Sequence, residues 1–200
     1  MRLLFVALAL LQAAALPPAY PRPGTTKLLE NSRVLVWDIS WLKQQYPLHR
    51  HPYDLVGVYY APGDRVIVST AGARRPVSTK AWEIAFQAKG VTHIEEGASD
   101  VPLKAVFVEL KEESASDNTG PAAADGFPHG HGKQVLDNPR TTVWEFVPSS
   151  DNAIAHRHLR DAVVVAFNGD HPSVSFVAKG TTHAAENATG SDRMYVFELK

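Results

Sequence analysis

The sequence predicts an all-β protein made of two tandem barrel-type modules, and three observations carry that expectation. Short β-branched and aromatic runs (Val34 to Trp37, Val56 to Tyr60, Val66 to Val68, Val106 to Leu110, Val163 to Phe167, Val174 to Val177, Tyr195 to Leu199) are separated by Gly, Pro, Asn and Asp. That is the spacing of a sandwich or barrel. The chain also repeats itself: Leu29-Glu30-Asn31-Ser32-Arg33 with Val36-Trp37-Asp38 returns, at an offset of 107, as Leu136-Asp137-Asn138-Pro139-Arg140 with Val143-Trp144-Glu145. No long amphipathic helix interrupts the pattern, and Ile39 to Tyr46 is the one stretch read as a candidate short helix.

In chain order, Met1-Arg2, an apolar run from Leu3 to Leu11 and Ala13-Ala14-Ala15 match a secretory signal peptide over residues 1–15. The run falls short of the ~20 apolar residues of a spanning helix. A secreted or periplasmic protein with no integral membrane association is expected. Copy one is placed at 25–111. Its His49-Arg50-His51, Asp54 and Leu55 to Tyr60 meet His156-Arg157-His158, Asp161 and Ala162 to Phe167 at the same offset. Further on, Lys89-Gly90-Val91-Thr92-His93 meets Lys179-Gly180-Thr181-Thr182-His183 at an offset of 90. Copy two, placed at 134–200, is therefore shorter between the motifs by the difference of the two offsets. The extra length in copy one reads as a hairpin: Val66 to Val68, a turn through Gly72 to Pro76, and a return from Ala81 to Phe86. Residues 112–133, rich in Gly, Ser, Pro, Ala and Asp, read as a flexible linker. The linker holds a third pair, His129 and His131, whose flanking glycines make metal capture costly in ordering entropy.

Composition excludes several classes of function. Lys and Arg total 20 against 21 Asp and Glu, for a net charge of -1, so no cationic excess exists to neutralise a nucleic-acid backbone. Cysteine is absent, which removes thiolate ligation, redox and cysteine nucleophiles. Neither a phosphate-binding glycine loop nor a G-x-S-x-G elbow is present. A small molecule is the expected partner; the oligomeric state is not legible.

The histidines carry the chemistry. Strand side chains alternate faces, so His49 and His51 point one way and Arg50 the other, and likewise His156 and His158 against Arg157. His93 and His183, each following Gly-x-x, would complete three-imidazole sites. Neutral imidazole is a common ligand for divalent first-row metals, and three protein ligands leave positions open for substrate. Glu96 and Glu186 follow the third histidines and are either acid–base groups or, the more ordinary reading, solvated carboxylates. Trp37 and Trp144 are expected in the core.

These motifs resemble those of the cupins, which carry an HxH motif followed by Glu and Gly and a second motif G-x-x-H-x-x-x-N. Gly180-Thr181-Thr182-His183-Ala184-Ala185-Glu186-Asn187 fits the second motif in full; Gly90-Val91-Thr92-His93 fits with Gly97 where Asn is expected. The resemblance implies two tandem cupin-type double-stranded β-helix (jelly-roll) barrels, a bicupin. It implies a divalent metal, iron, manganese, zinc or nickel, at His49, His51 and His93 and at His156, His158 and His183. The family glutamate, four or five positions after the second histidine, is missing: those positions hold Leu55 or Val56, and Ala162 or Val163. Either Asp54 and Asp161 substitute as additional ligands, or the sites are of the three-histidine kind found in some non-haem iron dioxygenases of the superfamily, or the metal has been lost. Strand parity counts against Asp54. The implied function is a metal-dependent enzyme, dioxygenase-like or an isomerase, acting on a small organic substrate. The alternative is a non-catalytic binding or sensory module.

Overall fold

The structure, a computed structural model, describes residues 15–111, 127, 132–147, 155–184 and 191–200, with the backbone alone at 183 and 184. Copy one contributes β1 (Thr25–Glu30), β2 (Val34–Trp41), β3 (His49–Arg50), β4 (Asp54–Ala61), β5 (Gly63–Val68), β6 (Arg74–Thr79), β7 (Ile84–Gln87), β8 (Thr92–Gly97) and β9 (Leu103–Leu110). Copy two contributes β10 (Lys133–Asp137), β11 (Thr141–Phe146), β12 (Ala155–Arg157), β13 (Ala162–Asn168), β14 (His171–Val177), β15 (Thr182–Ala184) and β16 (Arg193–Leu199). The described residues contain no helix, so the all-β expectation holds.

Each copy forms an antiparallel five-stranded sheet with the same plan, β1-β2-β9-β4-β7 in the first and β10-β11-β16-β13-β14 in the second. A second sheet, β3-β8-β5-β6, accompanies the first; β12 pairs with β15 in copy two. Alternation decides which core each residue joins. On β2, β4 and β9, Val34, Val36, Val56, Val58, Val106 and Val108 pack with Val143, Val163, Val165, Phe167, Tyr195 and Phe197 of copy two in one shared core. The intervening Trp37, Ile39, Trp41, Leu55, Tyr59, Ala105 and Phe107 turn inward to line the first barrel. Both faces of these strands are buried, which is why runs such as Val106 to Leu110 are almost continuously apolar.

Three sequence expectations are corrected here. Ile39 to Tyr46 is not helical: Ile39 and Trp41 alternate inward on β2, and the two-residue period of the barrel wall overrides the helical spacing. The extra hairpin of copy one is β5 with β6, while Ile84–Gln87 crosses to pair with β4 in the other sheet. Copy two omits that hairpin, and β13 runs directly into β14 through a tight turn with Gly169 at φ 58°. Finally, the repeat reaches further upstream than residues 25 and 134. Tyr20 and Phe127, related by the same offset as the first motifs, are both buried and pack on Trp37 and Trp144 respectively. Phe127, within the stretch read as linker, is an anchored core residue.

Candidate metal centre

Pairing of β3 with β8 sets His49 directly opposite His93, and His51 extends the ladder by donating its N–H to Val91 O at 3.0 Å. Arg50, between the two histidines, is exposed, as parity requires. The turn before β8 depends on Gly90, whose φ of 86° lies in the region that favours glycine; Gly180 in copy two has φ 85°. The glycine of each G-x-x-H motif is thus a backbone requirement for presenting its histidine.

His49, His51 and His93 are 2%, 2% and 5% exposed, and their ligand nitrogens all lie within 4.8 Å of one another. His51 Nε2 and His93 Nε2 are 3.4 Å apart. His49 Nδ1 sits 2.9 Å from Pro47 O. A ring N–H donating there leaves the lone pair on Nε2, a buried atom with no protein partner. Burial pushes all three imidazoles down in pKa, His51 to about 3 with help from its two neighbours. Burial thus favours the neutral form of each ring, which is the ligating form. An orphaned lone pair beside two convergent neutral imidazoles fits a divalent transition metal.

Glu95 is a site residue that sequence reasoning misses. It lies two positions after His93 on β8, hence on the same face, and that parity is the signal that could have found it. Trp41 Nε1 donates to Glu95 Oε2 at 3.0 Å, and Arg22 Nη1 pairs with the same oxygen at 2.8 Å. Glu95 Oε1 lies 3.9 Å from His93 Nε2. Burial opposes ionisation of this carboxyl, but Arg22 and Arg65 prevail and hold it at about 2. Glu96 points the other way and pairs with Arg74 at 2.7 Å.

Asp54 and Asp161 are placed elsewhere. Asp54 accepts the Lys89 N–H at 2.9 Å and pairs with Arg140 of copy two at 2.9 Å. Asp161 accepts the Lys179 N–H at 2.7 Å and pairs with Arg33 of copy one at 3.4 Å. Each aspartate fixes the turn leading to its G-x-x-H motif and bridges the copies, and Asp54 is not part of the His49, His51 and His93 group.

In copy two the backbone frame recurs: His156 faces His183 across β12 and β15, and His158 donates its N–H to Thr181 O at 3.0 Å. His156 Nε2 and His158 Nε2 are 3.2 Å apart, and Phe127 stacks on His158 at 4.8 Å. Ala185 stands in the sequence where copy one has Glu95. The side chain of His183, with His129, His131, Glu186 and Asn187, lies outside the described residues, as do residues 1–14 of the expected signal peptide.

Beside the first centre is a cavity of about 160 Å³, lined by His51 and Glu95 together with Tyr20, Leu55, Tyr59 and Phe107. Arg65, Ile67 and Arg75 of the β5–β6 hairpin, and Phe86 and Gln87 of β7, also line it. Among the described residues, no helix is long and apolar enough to cross a membrane.

No family model and no curated protein matches the chain. Solved structures do. AerE from Microcystis aeruginosa superposes with a TM-score of 0.59 at 10% identity, covering 93% of this chain and 97% of that one. A cupin domain from Bordetella pertussis matches at 23% identity and TM-score 0.41 over 50% of this chain and all of its own. A cupin 2 conserved barrel domain protein from Leptotrichia buccalis matches at 13% identity and TM-score 0.45, covering 88% of each chain. The chain is all-β, with antiparallel sheets arranged as in AerE, and its first copy carries a histidine triad that could hold a metal.

Proposed function

We propose that the protein is an exported bicupin whose first module is a metal-dependent enzyme, dioxygenase-like, for a small organic substrate. The observation that carries this reading is the convergence of three buried imidazoles next to a partly open cavity that His51 helps to line. His49, His51 and His93 would hold the ion. A divalent ion there supplies Lewis acidity, or one-electron chemistry if it is iron or manganese. Around it, Glu95 keeps a fixed negative charge, Trp41 and Arg22 orient that carboxylate, and Tyr20, Leu55 and Phe107 exclude water. Export rests on the leader-like pattern of residues 1–15.

A division of labour between the copies is favoured by two differences. Copy two lacks the β5–β6 hairpin that walls the cavity and has Ala185 in place of the carboxylate. Copy two then serves mainly as the partner that covers the outer face of copy one. The test is oxygen uptake by protein loaded in turn with iron, manganese, zinc and nickel, across a panel of small organic acids. Turnover with iron or manganese that is abolished by His93→Ala and retained in His158→Ala is the expected result. Metal uptake and ligand binding without turnover under any condition would replace the enzyme with a binding module.

A further inference from the structure

The cavity of copy one has a chemical character that the metal site does not use. Arg65 interacts with the Tyr59 hydroxyl and with Glu95, but its Nε and Nη1, like Gln87 Nε2, are buried atoms without a hydrogen-bond partner, and both side chains line the cavity. Unpaired buried donors are costly, and those of a charged guanidinium most of all. The strand register explains how they converge. Arg75 lies opposite Ile67 on the β5–β6 hairpin, and Ile67 lies opposite Glu95 on β8, so all three share the inner face, with Arg65 two positions away. Arg65 is fixed by packing over the rings of Trp41 and Tyr59, at 5.3 and 5.0 Å. Arg75 is exposed at the rim.

Charge on the cavity wall does not balance. The lining residues include two guanidiniums, Arg65 and Arg75, and one carboxylate, Glu95, which Arg65 shares with the ion-paired Arg22, so the positive charges around it outnumber the negative. The remaining lining is aromatic and aliphatic: Tyr20, Leu55, Tyr59, Ala85, Phe86 and Phe107. A cavity of roughly 150 Å³ suffices for a benzene-sized guest. We propose that this cavity binds a small monocarboxylate with an apolar or aromatic body, its carboxylate held by Arg65 with Gln87 and Arg75 and its body against the aromatic wall. This deepens the reading of copy one as the small-molecule module and rests on it. The shortened second copy has no counterpart of Arg65 or Arg75, so one site per chain follows.

The experiment is calorimetric titration of the full mature chain with benzoate and with its neutral isostere benzamide, once after chelation and once after loading with zinc. Benzoate is expected to saturate one site per chain in both states and to bind at least about tenfold more tightly than benzamide, the difference a charge-assisted guanidinium contact makes. Arg65→Met should remove that preference, and Arg75→Gln, a rim change that leaves the fold intact, should weaken benzoate severalfold. His158→Ala should leave benzoate binding as it was. Equal binding of benzoate and benzamide, full displacement of benzoate by equimolar inorganic phosphate, or unchanged benzoate affinity in both arginine variants would overturn the assignment. Zinc content measured on the same samples separates the two readings. Zinc without benzoate discards the carboxylate site and keeps the metal centre, whereas benzoate without zinc does the reverse.

Discussion

Glu95 shows how much a single residue on the right face can organise. One buried carboxylate oxygen holds Trp41 and Arg22 while the other faces His93. Replacing it with Gln leaves Arg22 and Arg65 buried without their counter-charge, and removing one partner of a buried pair costs about 3–5 kcal/mol. Glu95→Gln should therefore lower the urea-unfolding free energy by that amount and, through loss of orientation beside His93, weaken metal affinity by roughly 10- to 100-fold. A variant of wild-type stability would show that Arg22 is not balanced by Glu95. The same site sets a pH dependence in the metal-free protein. His51 falls from 6.5 unfolded to about 3 folded, and Glu95 from 4.5 to about 2. In both cases the unfolded chain binds more protons within the window, so stability is intact above about pH 6.5 and is lost as pH falls toward 3, by about 1.4 kcal/mol per pH unit for each proton. Chemical denaturation at stepwise pH reads this directly, and a flat profile between pH 6.5 and 4 would contradict it. At this scale the three histidines are legible because parity acts on the sequence itself. The role of Asp54 is not, since its partner Arg140 comes from the other copy and no local spacing announces that contact.

Among the elements, β8 and the β5–β6 hairpin define the site. Gly97 ends β8 where the second motif has asparagine in copy two, and the reason is space. A Cβ there would lie 2.2 Å from Leu42 O and 2.7 Å from Trp41 O, both backbone. Gly97→Ala should cost about 2 kcal/mol or more and lower the thermal midpoint by several degrees, because backbone cannot yield as a side chain can. Gly72, with nothing within 4 Å, is the contrasting position in the exposed hairpin turn, although its φ of 82° still favours glycine. The existence and type of most strands can be read from alternation and turn residues. Two features escape that reading: β2 takes in Ile39 to Trp41, the start of the candidate short helix, and the hairpin's own return arm is Arg74–Thr79. Both differences come from local patterns overridden by partners distant in the sequence, Val106 and Ala105 for β2 and Leu55 to Val58 for β7.

For the whole molecule, the shared core between the copies is the main stabilising feature, since the outer faces of both five-stranded sheets are apolar and each covers the other. Two cross-copy ion pairs, Arg33 with Asp161 and Arg140 with Asp54, frame it with approximate twofold symmetry. The copies should unfold together in one transition by calorimetry, and a double-mutant cycle on Asp54→Asn and Arg140→Gln should return a coupling of about 1–2 kcal/mol. Two separated transitions would mean that the shared core is not a joint one. The duplication is visible in the sequence, but face-to-face packing is hidden because it leaves no mark except strands apolar on both faces. The central claim is the metal centre of copy one, and elemental analysis of untagged protein after exposure to iron, manganese, zinc and nickel tests it most directly. The account predicts at least one tightly held metal per chain in the wild type, with the copy-one metal lost in His51→Ala and kept in His158→Ala. A wild-type chain with no metal under any loading, or metal content unchanged by His51→Ala, would contradict it.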